Sequence, residues 1–405
     1  MEEYNVSEFD LINPTESHSM LREMIRDFVD KNLEPQALIH DKEERFNLEL
    51  FKELGELGLL GLTVSEKYGG SELDTISAVI VHEELSSSDP AFTLSYLAHS
   101  MLTANNLSVN GSEEQKNRYL PGLCSGELIG CMAMSEPDYG TDVMGMKTNA
   151  KLNSDGNWVI NGNKMWITNG SIDEDGTPAD LVWLYAKTGE NSEGRAEIST
   201  FIVEKGMQGY SVGQKIYDKL GMRASNTAEL VFEDCIVPPE NLVGSVGGSI
   251  LHMMRNLELE RIALAAMSLG IARRSLFEMN RYATERTSFG KPIRSYGQIQ
   301  RHISESYAEY KAMQAYVYNT ARLINLESGG YRLDTDGVKL FATTAAKNIA
   351  DRAIQVMGGY GYVGEYVVER LWRDSKLLEI GGGTLESHQK NMTKELYKNP
   401  DFIFK

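Results

Sequence analysis

The stretch SILHMMRNLELERIALAAMSLGIA, residues 249–272, decides how this chain is read. Met253, Leu257, Leu264, Met267 and Ile271 recur at steps of 4, 7, 3 and 4, the spacing of one apolar helix face. The long step skips one register position, and Glu260 occupies it. A carboxylate set into a buried stripe loses hydration, so its pKa rises and it becomes a usable proton acceptor near neutrality. Glu258 and Arg261 can point elsewhere. The alternative is structural, with Arg255 or Arg261 pairing with Glu260 as an ion pair.

Outward from this helix the pattern splits the chain in three. Towards the C-terminus, ISESYAEYKAMQAYVYNTARLINL, DGVKLFATTAAKNIADRAIQVM and VVERLWRDSKLLEI keep the helical period. Towards the N-terminus, DLVWLYAKT, ISTFIVEK, YSVGQKI and AELVFEDCIVP are rich in β-branched and aromatic residues and read as strands. NWVINGNKMWITNG reads as two short strands joined at Asn161-Gly162, the dipeptide that favours a type I′ hairpin turn. Before residue 129 the helical period returns in MLREMIRDFVDKNL, FKELGELGLLGL, TISAVIVHEELSSS and AFTLSYLAHSMLTANNL, and Ser112, Glu113 and Glu114 open a short helix with a cap. The expected fold is α+β: an N-terminal helical domain (1–128), a central β domain (129–244) and a C-terminal helical bundle (245–405).

Composition narrows the function. A chain of 405 residues with 41% hydrophobic and 24% charged residues has ordinary globular composition and room for a large core. A net charge of -18 argues against a nucleic-acid partner. No run approaches the ~20 apolar residues of a membrane span. The start, MEEYNVSEFD, is acidic and carries no basic n-region or Arg-rich presequence, so a cytoplasmic protein, or one already stripped of its presequence, is expected. Cys124, Cys131 and Cys235 show no CxxC spacing and read as reduced structural thiols.

The motifs exclude more than they assign. Gly359, Gly361 and Gly364 match GxGxxG, but a helix precedes them where a dinucleotide fingerprint requires a strand. A glycine turn near some cofactor or a plain helix-to-helix turn remain. The seven histidines form no metal-binding cluster. An enzyme of this composition takes its chemistry from an organic cofactor.

CMAMSEPDYGTDVMGMKT, NWVINGNKMWITNG, DKLGMRASNTAELVFEDCIVPPENLVG, RYATERTSFGKPI and QVMGGYGYVGEYVVERLWRDSKLLEIGGGT resemble, in order and spacing, the signatures of the acyl-CoA dehydrogenases. LSYLAHS, AMSEP, NKMWITNG and the acid in LELER resemble the isovaleryl branch. The resemblance implies a homotetrameric flavoenzyme that binds FAD between the β and last helical domains, dehydrogenates a short or branched-chain acyl-CoA and passes electrons to an electron-transferring flavoprotein. The best single substrate it implies is isovaleryl-CoA, converted to 3-methylcrotonyl-CoA. A bulkier cyclic or aromatic acyl-CoA, or a non-catalytic acyl-CoA-binding relative, are the alternatives.

By matching motifs, Met132, Met134, Ser135, Trp166 and Thr168 would surround the flavin, with Thr384 and Glu386 near the same cofactor. Arg286, Phe289, Gln355, Gly358 and Gly359 would reach its adenosine diphosphate part across a subunit interface. Leu94, Ala98, Leu264 and Leu378 would line the acyl pocket, Thr141 would contact the thioester or pantetheine end, and Arg261 would join the substrate site. Most members carry the catalytic Glu where this chain has Gly382, whereas the isovaleryl and long-chain branches place it at the position of Glu260. The resemblance and the helical stripe thus select the same base, and the backbone N–H of Gly382 would stabilise the enolate oxygen. This chain departs from the pattern at Gly297, in place of a usual Gln, at Leu385 in place of Ser, and at Leu97 and Leu378, in place of the isovaleryl branch's Gly and Tyr.

Overall fold

The computed structural model describes residues 10–404. The acidic start read above, residues 1–9, lies outside the described residues. The chain first forms α1 (Glu16–Phe28), α2 (Glu34–Glu43), α3 (Leu48–Glu56), α4 (Thr75–Ser86), α5 (Pro90–His99), α6 (Asn105–Asn110) and α7 (Glu113–Ser125). Side chains set the starts of these helices by accepting otherwise unpaired backbone N–H groups. Asp74 accepts from Ser77, and Asp89 accepts from Ala91 and Phe92 with Pro90 in the first turn. Ser112 and Gln115 form a reciprocal capping box at α7, where the sequence places a cap.

Helix α4 is buried over its whole length, so its apolar residues need no single stripe. Its two acids, Glu83 and Glu84, are buried with partners. Arg22 donates to Glu83 at 2.9 Å, Tyr318 donates to Glu83 at 2.6 Å and Arg273 donates to Glu84 at 2.6 Å. Burial of these charges is tolerable because each finds counter-charges and donors at once.

The middle of the chain supplies β1 (Gly130–Ala133), β2 (Asn149–Leu152), β3 (Trp158–Thr168), β4 (Leu181–Glu190), β5 (Ala196–Glu204), β6 (Tyr210–Lys215), β7 (Thr227–Val237) and β8 (Leu242–Val243). They form one sheet in the order β6-β7-β3-β2-β4-β5-β8, with β1 parallel to β4. Here the sequence reading is corrected. Asn161-Gly162 is not a hairpin turn: β3 runs straight through it, with only a register shift against β7 between Ile160 and Gly162. Gly162 has φ +147°, and a Cβ there would meet the Thr148 Cα at 2.6 Å. The glycine serves close backbone approach at a bulge, a use that shares its sequence signature with a turn.

The last part is α8 (Ser249–Glu285), a ribbon of β9 (Thr287–Ser288) and β10 (Lys291–Pro292), then α9 (Gly297–Ala321), α10 (Arg332–Met357), α11 (Val367–Ile380) and α12 (Leu385–Lys398). The 37 residues of α8 make it roughly 55 Å long at 1.5 Å per residue. Of its expected stripe Met253 is buried and Leu257 half-buried, while Arg255, Asn256 and Glu258 also turn inward; from Arg261 to Ala272 every residue is buried, because α4, α9, α10 and α11 enclose it on all sides. The turn at residues 358–361 links two helices, so the GxGxxG match is not a dinucleotide loop.

Val79, Leu85, Leu264, Met267, Val317, Ile349 and Leu371 belong to one apolar cluster, so the helices on either side of the sheet segment share a core. The sheet has its own, built on Trp158, Ile160, Phe201 and Phe232. The architecture is α+β, with helical ends and a central sheet. No helix among the described residues is long and apolar enough to cross a membrane.

Candidate active site

A cavity of about 670 Å³ opens where the ends of β1 and β3 meet α5, α8 and α11. Glu260 faces into it from α8. The side chain is half-buried and has neither a hydrogen bond nor an ion pair among the described residues. Burial raises its pKa above the ordinary glutamate value, with Arg261 and Lys339 pulling in the opposite direction. The structural ion pair considered for it is not formed. Arg255 donates to Asn106 at 3.2 Å, to Asn105 and to the Leu326 carbonyl, and Arg261 pairs with Asp336 at 3.1 Å. Glu258 is buried rather than turned away, accepting from the N–H groups of Gly330 and Tyr331 at 3.0 Å each. Of the acids in LELER, Glu260 alone is left unpartnered and aimed at the cavity.

Gly382 sits against it. Its φ is +65°, and a Cβ there would lie 2.5 Å from Leu264 Cδ1 and 3.4 Å from the Glu260 carboxyl carbon. Glycine is required by the backbone and by the space, and its absent side chain leaves the Glu260 carboxylate room. The N–H groups of Gly382, Gly383 and Thr384 find no acceptor among the described residues, although all three residues line the cavity. Unspent donors beside an unspent carboxylate suit a reaction in which a carbonyl gains negative charge while a neighbouring carbon loses a proton.

The opposite wall is built by a bulge. Two β3 residues, Met165 and Trp166, lie between the Lys164–Leu230 and Ile167–Ala228 pairs. Trp166 takes φ +67° and turns its indole outward, leaving it 62% exposed at the cavity edge. Met165 donates its N–H to the Ser135 carbonyl at 2.9 Å. Beneath, the fully buried Lys164 donates to the Met134 carbonyl and to Glu136, both at 2.9 Å. Burial pushes the Lys164 pKa down to about 8 against the pull of Glu136. Asn256 donates to the Met132 sulfur at 2.8 Å. The strand ends that carry Met132, Met134, Ser135, Trp166 and Thr168 are therefore fixed from behind.

Of the residues singled out in the sequence, Glu260, Gly382, Met132, Met134, Ser135, Trp166, Thr168, Thr384, Leu94, Ala98, Thr141 and Leu264 all line this one cavity. Among the expected substrate contacts Arg261 and Leu378 do not, and those two contacts are withdrawn. The Arg261 guanidinium is turned away to Asp336, with only a 3.5 Å contact to the Gly382 carbonyl. Leu378 is fully buried in the helical core because the cavity faces Arg373, Lys376, Leu377 and Ile380 on α11, one register position over. Glu386 is exposed on the first turn of α12, outside the cavity. Arg286, Phe289, Gln355, Gly358 and Gly359 are also exposed, away from the cavity where the ends of α8 and α10 pack together. Phe289 is 95% exposed.

The cavity also has members the sequence reading passed over. Lys219 donates to the Ser225 carbonyl at 2.5 Å and to Thr227 at 2.9 Å, and burial brings its pKa down to about 8. Leu97, noted in the sequence as a departure from the isovaleryl pattern, and Leu102, which was passed over, complete an apolar end with Leu94, Ala98 and Leu264. Lys219 lies in the quoted DKLGMRASNT motif, which was the signal available for it.

Family models for the N-terminal, middle and C-terminal domains of acyl-CoA dehydrogenase match residues 15–127, 131–235 and 250–397. A mitochondrial isovaleryl-CoA dehydrogenase of Solanum tuberosum is 42% identical over 386 residues, covering 95% of this chain and 91% of its own. The chain belongs to the acyl-CoA dehydrogenase family. It is a flavoprotein oxidoreductase with FAD as its cofactor. Among solved structures, butyryl-CoA dehydrogenase from Megasphaera elsdenii has a TM-score of 0.89 at 34% identity, covering 95% of this chain and 98% of that one. An acyl-CoA dehydrogenase from Bacillus anthracis complexed with FAD has a TM-score of 0.87 at 31% identity, covering 95% of this chain and 68% of that one.

Proposed function

We propose that this acyl-CoA dehydrogenase oxidises a short branched-chain acyl-CoA, with isovaleryl-CoA to 3-methylcrotonyl-CoA as its reaction. The observation that carries the reading is Glu260, a desolvated carboxylate without a partner that faces an apolar cavity beside unspent backbone N–H groups. The thioester carbonyl would accept from the N–H of Gly382, which makes the α-proton removable. Glu260 then takes that proton, and burial keeps its proton affinity matched to the task. Bound FAD supplies the acceptor for the hydride leaving the β-carbon. Ser135, Thr168 and Thr384 would hold it by hydrogen bonds, and Met132, Met134 and the Trp166 indole by contact with its ring. Glu386 would stand near the same cofactor.

Leu94, Leu97, Ala98, Leu102 and Leu264 give the acyl end a leucine-walled pocket that suits a short branched chain, and Thr141 at the rim would meet the pantetheine. The exposed set Arg286, Phe289, Gln355, Gly358 and Gly359 would serve the cofactor of a neighbouring copy, in a homotetramer that hands its electrons to an electron-transferring flavoprotein. On this reading residues 1–128, 129–244 and 245–405 are the three domains. The test is anaerobic flavin bleaching with isovaleryl-, isobutyryl-, butyryl-, octanoyl-, cyclic and aromatic thioesters. Fastest bleaching by isovaleryl-CoA supports the proposal. Fastest bleaching by a cyclic or aromatic thioester replaces the substrate, and no bleaching by any of them moves the chain to an acyl-CoA-binding role.

A further inference from the structure

Behind the Gly382–Gly383 turn, on the side away from the cavity, lies a buried polar cluster that the proposed reaction has not used. Lys339 on α10, Asp336 one turn before it and His388 on α12 are all fully buried. Lys339 Nζ donates to the Gly383 carbonyl at 2.5 Å, and His388 Nε2 reaches the same oxygen at 2.9 Å. His388 Nδ1 lies 2.6 Å from Asp336 Oδ1, which also takes Arg261 at 3.1 Å. With Nε2–H donated to Gly383, one proton lies between Nδ1 and the carboxylate, and this fixes the ring.

Folding alone gives a poor account of the arrangement. Lys339 has no carboxylate within ion-pair distance among the described residues, and burial brings its pKa down to about 8. A buried ammonium whose single acceptor is a peptide carbonyl is costly compared with an apolar side chain of similar length. What the cost secures is orientation. A trans peptide directs its C=O and N–H to opposite sides. Two donors gripping the Gly383 carbonyl from behind therefore turn the Thr384 N–H forward, and the Arg261 contact on the Gly382 carbonyl does the same for the Gly383 N–H. Gly383 has φ +101°, and a Cβ there would lie 3.1 Å from the His388 ring, so the turn is moulded to the imidazole.

We propose that Lys339 and His388 are positioning residues of the dehydrogenation site, clamping the Gly383 carbonyl so that the 382–384 turn, which carries the Gly382 N–H, holds its place beside Glu260. This inference rests on the dehydrogenase reading, and its test separates the two. The wild-type holoenzyme is first bleached anaerobically with the thioester panel, and a failure there concerns the dehydrogenase reading alone. Lys339→Met, His388→Leu and His388→Gln are then compared with it for limiting flavin reduction rate, for thioester affinity by calorimetry, for affinity towards a non-oxidisable 3-thiaacyl-CoA that binds as its enolate, and for melting temperature.

Lys339→Met and His388→Leu should slow reduction about 10- to 100-fold, the scale of a misplaced oxyanion donor, and weaken the enolate analogue in proportion. Saturated thioester affinity should stay within about threefold. His388→Gln places an amide nitrogen where Nε2 was and should remain within about threefold in every readout. The His388 pair carries the test by itself if Lys339→Met does not accumulate as folded protein. Reduction rates within threefold of wild type in Lys339→Met and His388→Leu overturn the proposal, as does a His388→Gln as slow as His388→Leu.

Discussion

Replacing Glu260 by Gln removes the base while leaving shape, volume and neighbours in place. The wild-type carboxylate makes no hydrogen bond or ion pair among the described residues, so the substitution breaks no contact. Any loss of rate is therefore chemical. Removing a positioned general base costs about 10² to 10⁴ in rate, or roughly 3 to 5 kcal/mol of barrier at 1.36 kcal/mol per decade. Stopped-flow reduction of the bound flavin under anaerobic thioester should show that loss with thioester affinity unchanged. A second readout is independent of turnover. The Glu260 pKa is raised on folding, so the native state holds more protons than the unfolded chain between the ordinary glutamate value and the raised one. In that window the group's contribution to stability falls as pH rises. The Gln variant lacks this slope, so it should gain in melting temperature relative to wild type above the window and match it below. A variant that reduces flavin at near wild-type rate, or that melts with the wild-type pH dependence, would refute the reasoning.

Three further substitutions probe the surroundings. Gly382→Ala puts a Cβ 2.5 Å from Leu264 at a positive φ. It should cost about 1 to 3 kcal/mol in thermal unfolding and slow flavin reduction through the displaced turn. Leu97→Ala, at a position only 1% exposed, should cost about 2 to 5 kcal/mol and shift relative kcat/KM towards bulkier thioesters. An unchanged preference would show that Leu97 does not bound the acyl pocket. Lys164→Met leaves Glu136 without its buried cation. Denaturant melts should show a loss of about 3 to 5 kcal/mol, and the same variant should retain less flavin on gel filtration.

Periodicity made the helical and β segments legible, and on α8 it picked out, without any structure, the carboxylate that faces the cavity. The carboxylate was visible because a single polar residue in an apolar stripe is expensive and therefore informative. Two neighbours were misjudged: Glu258 turns inward to the N–H groups of Gly330 and Tyr331, and Arg261 to Asp336, because beyond residue 260 α8 is enclosed on every side and a one-sided stripe no longer describes it. Asn161-Gly162 failed for a related reason. Glycine at a strand bulge and glycine in a hairpin turn leave the same letters, and the deciding contact is with Thr148, far from the dipeptide in sequence. Gly382 carried no signal of its own beyond its motif, because a glycine announces a conformation and not a role. Lys339 and His388 were opaque, since their shared partner is a backbone carbonyl, which no residue pattern records.

The central claim, that Glu260 moves the α-proton in this cavity, is tested most directly by hydrogen exchange. The holoenzyme would be incubated in D₂O with a 3-thiaacyl-CoA, which can lose its α-proton but is not oxidised, and deuterium uptake would be followed by mass spectrometry. The account predicts α-exchange catalysed by the wild type and at least a hundredfold slower exchange with Glu260→Gln, at equal ligand occupancy. Equal exchange by the two proteins would place the base elsewhere and contradict it.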